Sequence, residues 1–354
     1  AGIHYQAQAL NNPTGFSATG LPAGLSIDPT TGAITGHTTA VGDHNITLTA
    51  SNLSGTSPGK NLILTVAPDK PLFETEAFTP TSMPTLNLWL DAADSSTIFA
   101  DTSFNTLATT SVGGWKDKSG NNRHISQTGA DSIKPTLSSD SVAFNGSQYL
   151  FNTSPIMYAN GSMEVFIVAS GSAQSDTRLV GEGSSTNDNP FYGIQTGKNN
   201  DTDKQAIYIR NDNSSTSLVS GPFNNGVAFD GTFKILHWKD TGTEILGRIN
   251  GGVAGVVSYT RSGTFTVNRF CIGGVLRSTF AAGFTGNIKE IIISSPNSDS
   301  ERQKIEGYLA HKWGLSVSLP SSHPLKSSSP TQSKVSPSAV GSNSATATAT
   351  LLET

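Results

Sequence analysis

The sequence holds a single cysteine, Cys271, so no disulfide closes within the chain. Stability therefore rests on buried apolar surface rather than on covalent staples. Cys271 sits in the apolar run NRFCIGGV and reads as a small buried residue. A secreted eukaryotic module of this kind more often carries disulfide pairs, so their absence points to a prokaryotic or viral source. Charge is scarce as well. Asp, Glu, Lys and Arg make up 14% of the residues, against about a quarter in ordinary globular chains. The formal net charge is −4, and no basic stripe occurs, which argues against a nucleic-acid partner. No run of 18 apolar residues exists, so no segment reads as a membrane span. The opening AGIHYQAQ lacks the pattern of a signal peptide, and the chain is expected to be a mature product or a piece of something longer.

Ser, Thr, Asn and Gly fill the gap left by charge. This mixture suits short strands joined by many turns, and a surface kept soluble by hydroxyls and amides. Residues 1–67 form a first unit. HNITLTAS and NLILTVAP alternate as strands do. Ahead of them, GLPAGLSIDPTTGAITGHTTAVGD is punctuated at Pro22 and Gly24, at Asp28-Pro29 and at Thr31-Gly32. The pattern GLPAGLSIDPTTGAITG…ITLTASN resembles the Ig domains of bacterial surface proteins, often found near cadherin-like repeats. The resemblance implies a small Greek-key β-sandwich without catalytic residues. Members of that family usually begin with a strand ahead of the segment that is Gly2 to Tyr5 here, so the first unit is expected to lack its opening strand.

Residues 68–84, with four prolines, read as a linker. Residues 85–326 form the large unit. Strand candidates recur in NLWLDA, SVAFNG, MEVFIVAS, QAIYIRN, TFKILHWKD, TEILGRIN, GVVSYT, RFCIGGV and NIKEIIIS. Asn250-Gly251 gives a hairpin signal, because both residues tolerate positive φ. One helix is predicted in SDSERQKIEGYLAHKWG. Ser298 stands three residues before Glu301, a capping-box spacing. Ile305, Leu309 and Trp313 make one apolar stripe, and Gly314 ends the helix. LWLDAADSSTI, WKDKSGNNRH, VAFNGSQYL, GRINGG, GFTGNIKEIIIS and IEGYLAHKWGL…LPSSHPLK resemble the laminin-G-like branch of the concanavalin A-like jelly rolls. The fold expected is thus all-β: an Ig-like sandwich followed by a jelly roll with one C-terminal helix. Residues 327–354 read as a linker and then a strand, SNSATATATLLET, belonging to a following or neighbouring domain.

Glycosidases need two carboxylates roughly 5 to 9 Å apart across the scissile bond. The glycosidase branches of this fold often carry them as Glu-x-Asp-x-Glu, and no such triplet occurs; Glu164 and Glu290 stand alone in their strands. His124, His237, His311 and His323 have no nucleophile motif around them. The chain is therefore read as non-enzymatic. Oxygen-rich loops suit Ca2+, and DKSGNNRH groups Asp117, Ser119, Asn121 and Asn122 around Gly120. An Asx-type turn would use the same residues. In the resembling family such a turn often shares one metal with an acidic pair in Gly-x-Ile-Asp-Glu. Here that segment reads GNIKEI, so the resemblance implies a Ca2+ site of Asp117, Asn121, Asn287 and Glu290, with Lys289 where an Asp is common. Asp91 and Asp94 in LDAADSS form a second oxygen-rich loop, which also reads as a strand end entering a turn.

Sugar binding needs an exposed aromatic beside hydrogen-bonding groups. Trp89, Trp115, Trp238 and Trp313 lie in strand or helix patterns and read as core. The polar loops EGSSTNDNPFYG and TGKNNDTDKQ remain; the first offers Asp188 and Asn189, with Phe191 and Tyr192 as platforms. Two functional readings follow. One is an extracellular structural or adhesive subunit, in which the C-terminal strand, with Ala345, Ala347, Ala349 and Leu351 on one face, completes a sandwich in another copy or a neighbouring domain. Repeated head to tail, such a contact builds an open fibre. The alternative is a lectin-like module that binds glycans. A phage tail-fibre origin fits the same composition.

Overall fold

The computed structural model describes residues 2–66, 73–157, 162–198, 200–213, 217–335 and 345–349. The chain divides into two compact units, one of residues 1–76 and 333–354, the other of residues 77–332. In chain order, the second unit is inserted between the two pieces of the first. The chain leaves the first unit through Phe73–Ala77 and returns through Thr331–Val335, and these strands pair. The stretch expected as linker thus contains a strand, followed by a 3-10 turn at Pro80–Ser82.

The first unit is a small sandwich. One sheet holds Gly2–Gln6, Ala33–His37 and Leu25–Ile27 in that order; the other holds Gly15–Thr19, Gly42–Asn52 and Lys60–Val66. Leu62, Leu64 and Val66 point inward with Ile34, Ile46 and Leu48, while Ile63 between them is 45% exposed. This is the two-residue period of a strand lying on one core. The sheet does not end at Lys60–Val66. Ala345–Ala349 runs antiparallel to it, with Ala347 opposite Leu64. The strand expected to pair outside the chain pairs here within it. Leu351 lies outside the described residues.

The second unit is a sandwich of nine and eight antiparallel strands. The central strands of the eight-stranded sheet, Met163–Ser170, Lys234–Asp240 and Thr285–Ser294, are buried on both faces. Val165, Ile167, Leu236, Trp238, Ile291 and Ile293 face the core between the sheets. Phe166, Val168, Ile235 and Ile292 face the other way, under the helix Asp299–Lys312. Burial on two sides explains why MEVFIVAS and IKEIIIS are nearly continuous apolar runs rather than alternating ones. Ser298 caps the helix through a reciprocal capping box with Glu301, and Ile305 and Leu309 face the sheet. Trp115 and Trp238 are fully buried, and Trp89 is 7% exposed. Asn250 and Gly251 adopt φ of 49° and 67°. The ladder resumes only at Gly247–Gly255, so the connection is longer than a two-residue hairpin turn.

Candidate functional site

The nine-stranded sheet presents one face to the core and one outward. In the strand Phe191–Lys198, Tyr192 and Ile194 belong to the core, so Phe191 and Gly193 face out. In Asp201–Arg210, Ile207 and Ile209 belong to the core, so Tyr208 and Arg210 face out. Register sets Tyr208 opposite Gly193 and Arg210 opposite Phe191. On the other side, Gly181 and Gly183 stand opposite Gly193 and Phe191. A Cβ on Gly183 would lie 2.7 Å from Arg277 and 2.9 Å from the Leu276 carbonyl, and one on Gly181 3.1 Å from Val275. These two glycines therefore let the hairpin of Val275–Leu276 and Phe280–Ala281 lie flat on the sheet. The hairpin is pinned by Phe280 stacking on Tyr149 at 4.3 Å, and by the Arg178 N–H donating to the Ala282 carbonyl at 2.9 Å.

Between hairpin and strands lies a pocket of about 150 Å3, lined by Arg178, Phe191, Tyr208, Arg210, Arg277 and the small residues of the hairpin. Each arginine is held in place. Arg178, 8% exposed, lies over the Phe191 ring at 5.0 Å and the Tyr208 ring at 5.7 Å, and donates to the Asp176 carbonyl. Gly193 has no side chain to obstruct it; a Cβ there would meet Arg178 at 3.2 Å. Arg210 donates through Nε to the Asn189 carbonyl at 2.5 Å and through Nη2 to the Asp188 carbonyl. Arg277 donates through Nη1 to the same Asp188 carbonyl at 2.9 Å. Nε of Arg178 and Nε of Arg277 are buried without a hydrogen-bond partner. Burial pushes the Arg178 guanidinium down to about 10, so it stays charged at neutral pH.

The residues nominated from sequence take other parts. Asp188 is a clasp: its carboxylate accepts from the Ser278 hydroxyl at 2.9 Å, joining the loop to the hairpin tip. These Ser278 bonds, with Arg277 and Arg210 nearby, hold its carboxyl below the usual range. Asn189 donates to the Asp212 carbonyl at 3.0 Å, and its own carbonyl orients Arg210. Tyr192 is no platform. It is 1% exposed, and its hydroxyl donates to the buried Asp240 carboxylate at 2.9 Å. Adjacent residues of a strand face opposite ways, so Phe191 and Tyr192 cannot both look outward. The three arginines were not singled out in the sequence. The available signal was that the supposed polar loops hold two strands, with Arg178 and Arg210 at strand ends.

The residues expected to bind Ca2+ have protein partners or ladder positions of their own. Asp117 accepts four protein bonds: from the N–H groups of Trp89, Ser119 and Arg123 and from the Ser119 hydroxyl, at 2.8–3.0 Å. Asn121 turns its amide nitrogen to the Leu86 and Asn87 carbonyls. Glu290 is fully buried. It accepts from Trp89 Nε1 at 2.7 Å, Tyr308 at 2.9 Å and Trp313 Nε1 at 2.6 Å, and pairs with Lys312 at 2.8 Å. Asn287 lies in the ladder opposite Ser170 and Ala143. The Asp117 and Glu290 carboxylates thus face N–H and O–H donors and, at Glu290, a cation. Among the described residues, no group of three or more His, Cys, Asp or Glu is placed to hold a metal. Asp91 and Asp94 both pair with Lys118, at 2.9 and 2.8 Å.

No curated protein matches the chain. Residues 3–67 match the family described as Putative Ig domain. Among solved structures, the chain is similar to Ruminococcus gnavus IT-sialidase CBM40, with 17% identity over 40% of this chain and 79% of that one, at a TM-score of 0.32. It is also similar to domain 4 of AbnA, a GH43 extracellular arabinanase from Geobacillus stearothermophilus solved with arabinotriose. There the identity is 16% over 60% of this chain and 92% of that one, at a TM-score of 0.38. A Trypanosoma rangeli sialidase matches at 10% identity over 73% of this chain and 41% of that one, at a TM-score of 0.42. By its own strands the chain is all-β, with an Ig-type unit at its start.

Proposed function

We propose that this chain is a carbohydrate-binding β-sandwich module of an extracellular protein, its large unit a jelly roll of the concanavalin A-like, laminin-G-like kind. The observation that carries the reading is the pocket on the outer face of the nine-stranded sheet, where Tyr208 and three arginines meet under the 275–281 hairpin. Binding pockets join apolar surface to a few convergent polar groups, and this one does so. Among the described residues that line it are three cations and two aromatic rings, groups that bind a saccharide by charge, hydrogen bonds and ring contact. The Ig-type first unit supports a place outside the cell. The test is a glycan array probed with the full chain and with Tyr208→Ala. Retention of defined glycans by the parent and loss by the variant supports the reading. Failure of the parent to retain any glycan overturns it.

A second reading rests on a separate observation. Ala345–Ala349 adds to a sheet edge more than two hundred residues distant in sequence, through main-chain pairing. A strand from a second copy offers the same groups, so exchange of this strand would link copies head to tail as a surface fibre. Its test is the size of the chain in solution with and without residues 345–349.

A further inference from the structure

Of the eight arginines in the sequence, three line a single pocket. Gathering like charges is costly unless something offsets their repulsion. Part of the offset is visible. Arg178 rests on two aromatic faces, and Arg210 and Arg277 share the Asp188 carbonyl. Two carboxylates add to it from outside the lining, and each is engaged elsewhere. Asp188 is turned to Ser278, and Asp176 pairs with Lys198 at 3.3 Å. Lys198 itself stands 4.9 Å from the Tyr208 ring. Among the described residues, three cations line the pocket and no anion does, while Lys198, Asp176 and Asp188 stand outside the lining. Two buried guanidinium N–H groups, Nε of Arg178 and Nε of Arg277, have no acceptor. Arg178 is more than nine-tenths buried, so its missing acceptor is a cost that the folded chain carries to keep the guanidinium at this place.

We propose that the pocket selects an acidic sugar, with the arginines receiving its anionic group and Tyr208 bordering its ring. The inference rests on the glycan-binding reading above and narrows it. Guanidinium forks match planar carboxylates in a bidentate way and bind sulfate by the same donors. The shared chemistry is therefore an oxyanion on a saccharide. At about 150 Å3 the pocket is below the roughly 300–1,000 Å3 of sites for drug-sized ligands. It suits one sugar residue at a chain end rather than a length of polymer.

The experiment uses the full chain on an array of paired oligosaccharides: carboxylated, sulfated and neutral versions of the same cores. Hits are followed by calorimetric titration at low and high salt. The expected result is retention of acidic members only, weakening with salt. Arg277→Ala should then lose about tenfold or more in affinity. Arg277→Lys, which keeps the charge without the fork, should recover only part of it. The carboxylated and sulfated arms tell the two anions apart. Equal retention of neutral members overturns the acidic selectivity and leaves the glycan-binding reading standing. Retention of no member overturns both. Arg277 lies on the half-exposed hairpin, and an unchanged melting temperature in both variants separates lost binding from lost folding. If Arg277→Ala folds normally and binds acidic members unchanged, the arginine assignment fails.

Discussion

Glu290 shows how one carboxylate can look like a ligand in sequence and prove structural in space. Four partners converge on it: Trp89 and Tyr308 on Oε1, and Trp313 and Lys312 on Oε2. Lys312 also reaches Asp91 at 2.6 Å. The group thus ties the helix and its C-cap to two strands of the sheet. Burial pushes its carboxyl up despite Lys312. Removing one partner of a buried ion pair leaves the remaining groups desolvated and uncompensated, at about 3–5 kcal/mol. Glu290→Ala should lower the unfolding free energy of the second unit by that amount in a denaturant titration, with the melting of the first unit unchanged. A loss below about 1 kcal/mol would show that Asp91 alone satisfies Lys312. What the sequence showed at this residue was a charge amid apolar neighbours. The aromatic donors that satisfy it lie about 200 positions upstream and some 20 downstream, so a local motif could not reveal them. The same limit hid the pocket, whose arginines come from three separate segments.

At the scale of elements, the helix was legible because its signals are local. Ser298, Glu301 and the apolar stripe all lie within one short segment. The strands Arg178–Gly183 and Phe191–Lys198 were not legible, because glycine and glutamine interrupt their alternation. Gly181 and Gly183 serve the overlying hairpin, and that purpose has no trace in periodicity. What docks the helix is also non-local. Glu164 accepts from the backbone and side chain of Asn297, just before the cap, at 2.7 and 2.9 Å, and contacts His237 at 2.7 Å. Glu306, inside the helix, contacts Arg302 and His323. Burial pushes both carboxyls up, but for Glu164 His237 and Asn297, and for Glu306 His323, His237 and Arg302, outweigh it. Both therefore titrate below their ordinary 4.5. An acid whose folded pKa is depressed adds stability above its unfolded pKa and loses it as pH falls through the folded value. The urea midpoint of the second unit should thus fall as pH drops below about 4.5. Glu290, raised by burial, contributes in the opposite sense. The Glu164→Gln variant isolates the depressed group: its midpoint should depend less steeply on pH. An equal slope in parent and variant would show that Glu164 does not drive the acid transition.

For the whole molecule, the governing fact is that the first unit is assembled from both ends of the described chain while the second is inserted between them. The consequence is an asymmetry in stability. The second unit, with its two-sided sheet and large core, is complete within residues 77–332. The first unit has a small core, and the outer edge of its larger sheet is supplied by Ala345–Ala349. Each ladder bond contributes about 0.5–1.5 kcal/mol net. Deleting residues 345–349 therefore removes several such contributions from a unit with little core to spare. Calorimetry of the full chain and the deletion should show the first unit melting earlier and the second unchanged. Light scattering of the same two proteins decides whether the strand also joins copies. An Ala-Thr repeat keeps the same face on a shift of two residues, so it specifies register weakly and is suited to exchange. Assemblies that grow with concentration in the full chain and vanish in the deletion would establish exchange between copies. If the full chain stays monomeric while the deletion destabilises only the first unit, the strand acts within its own chain, and the fibre reading falls.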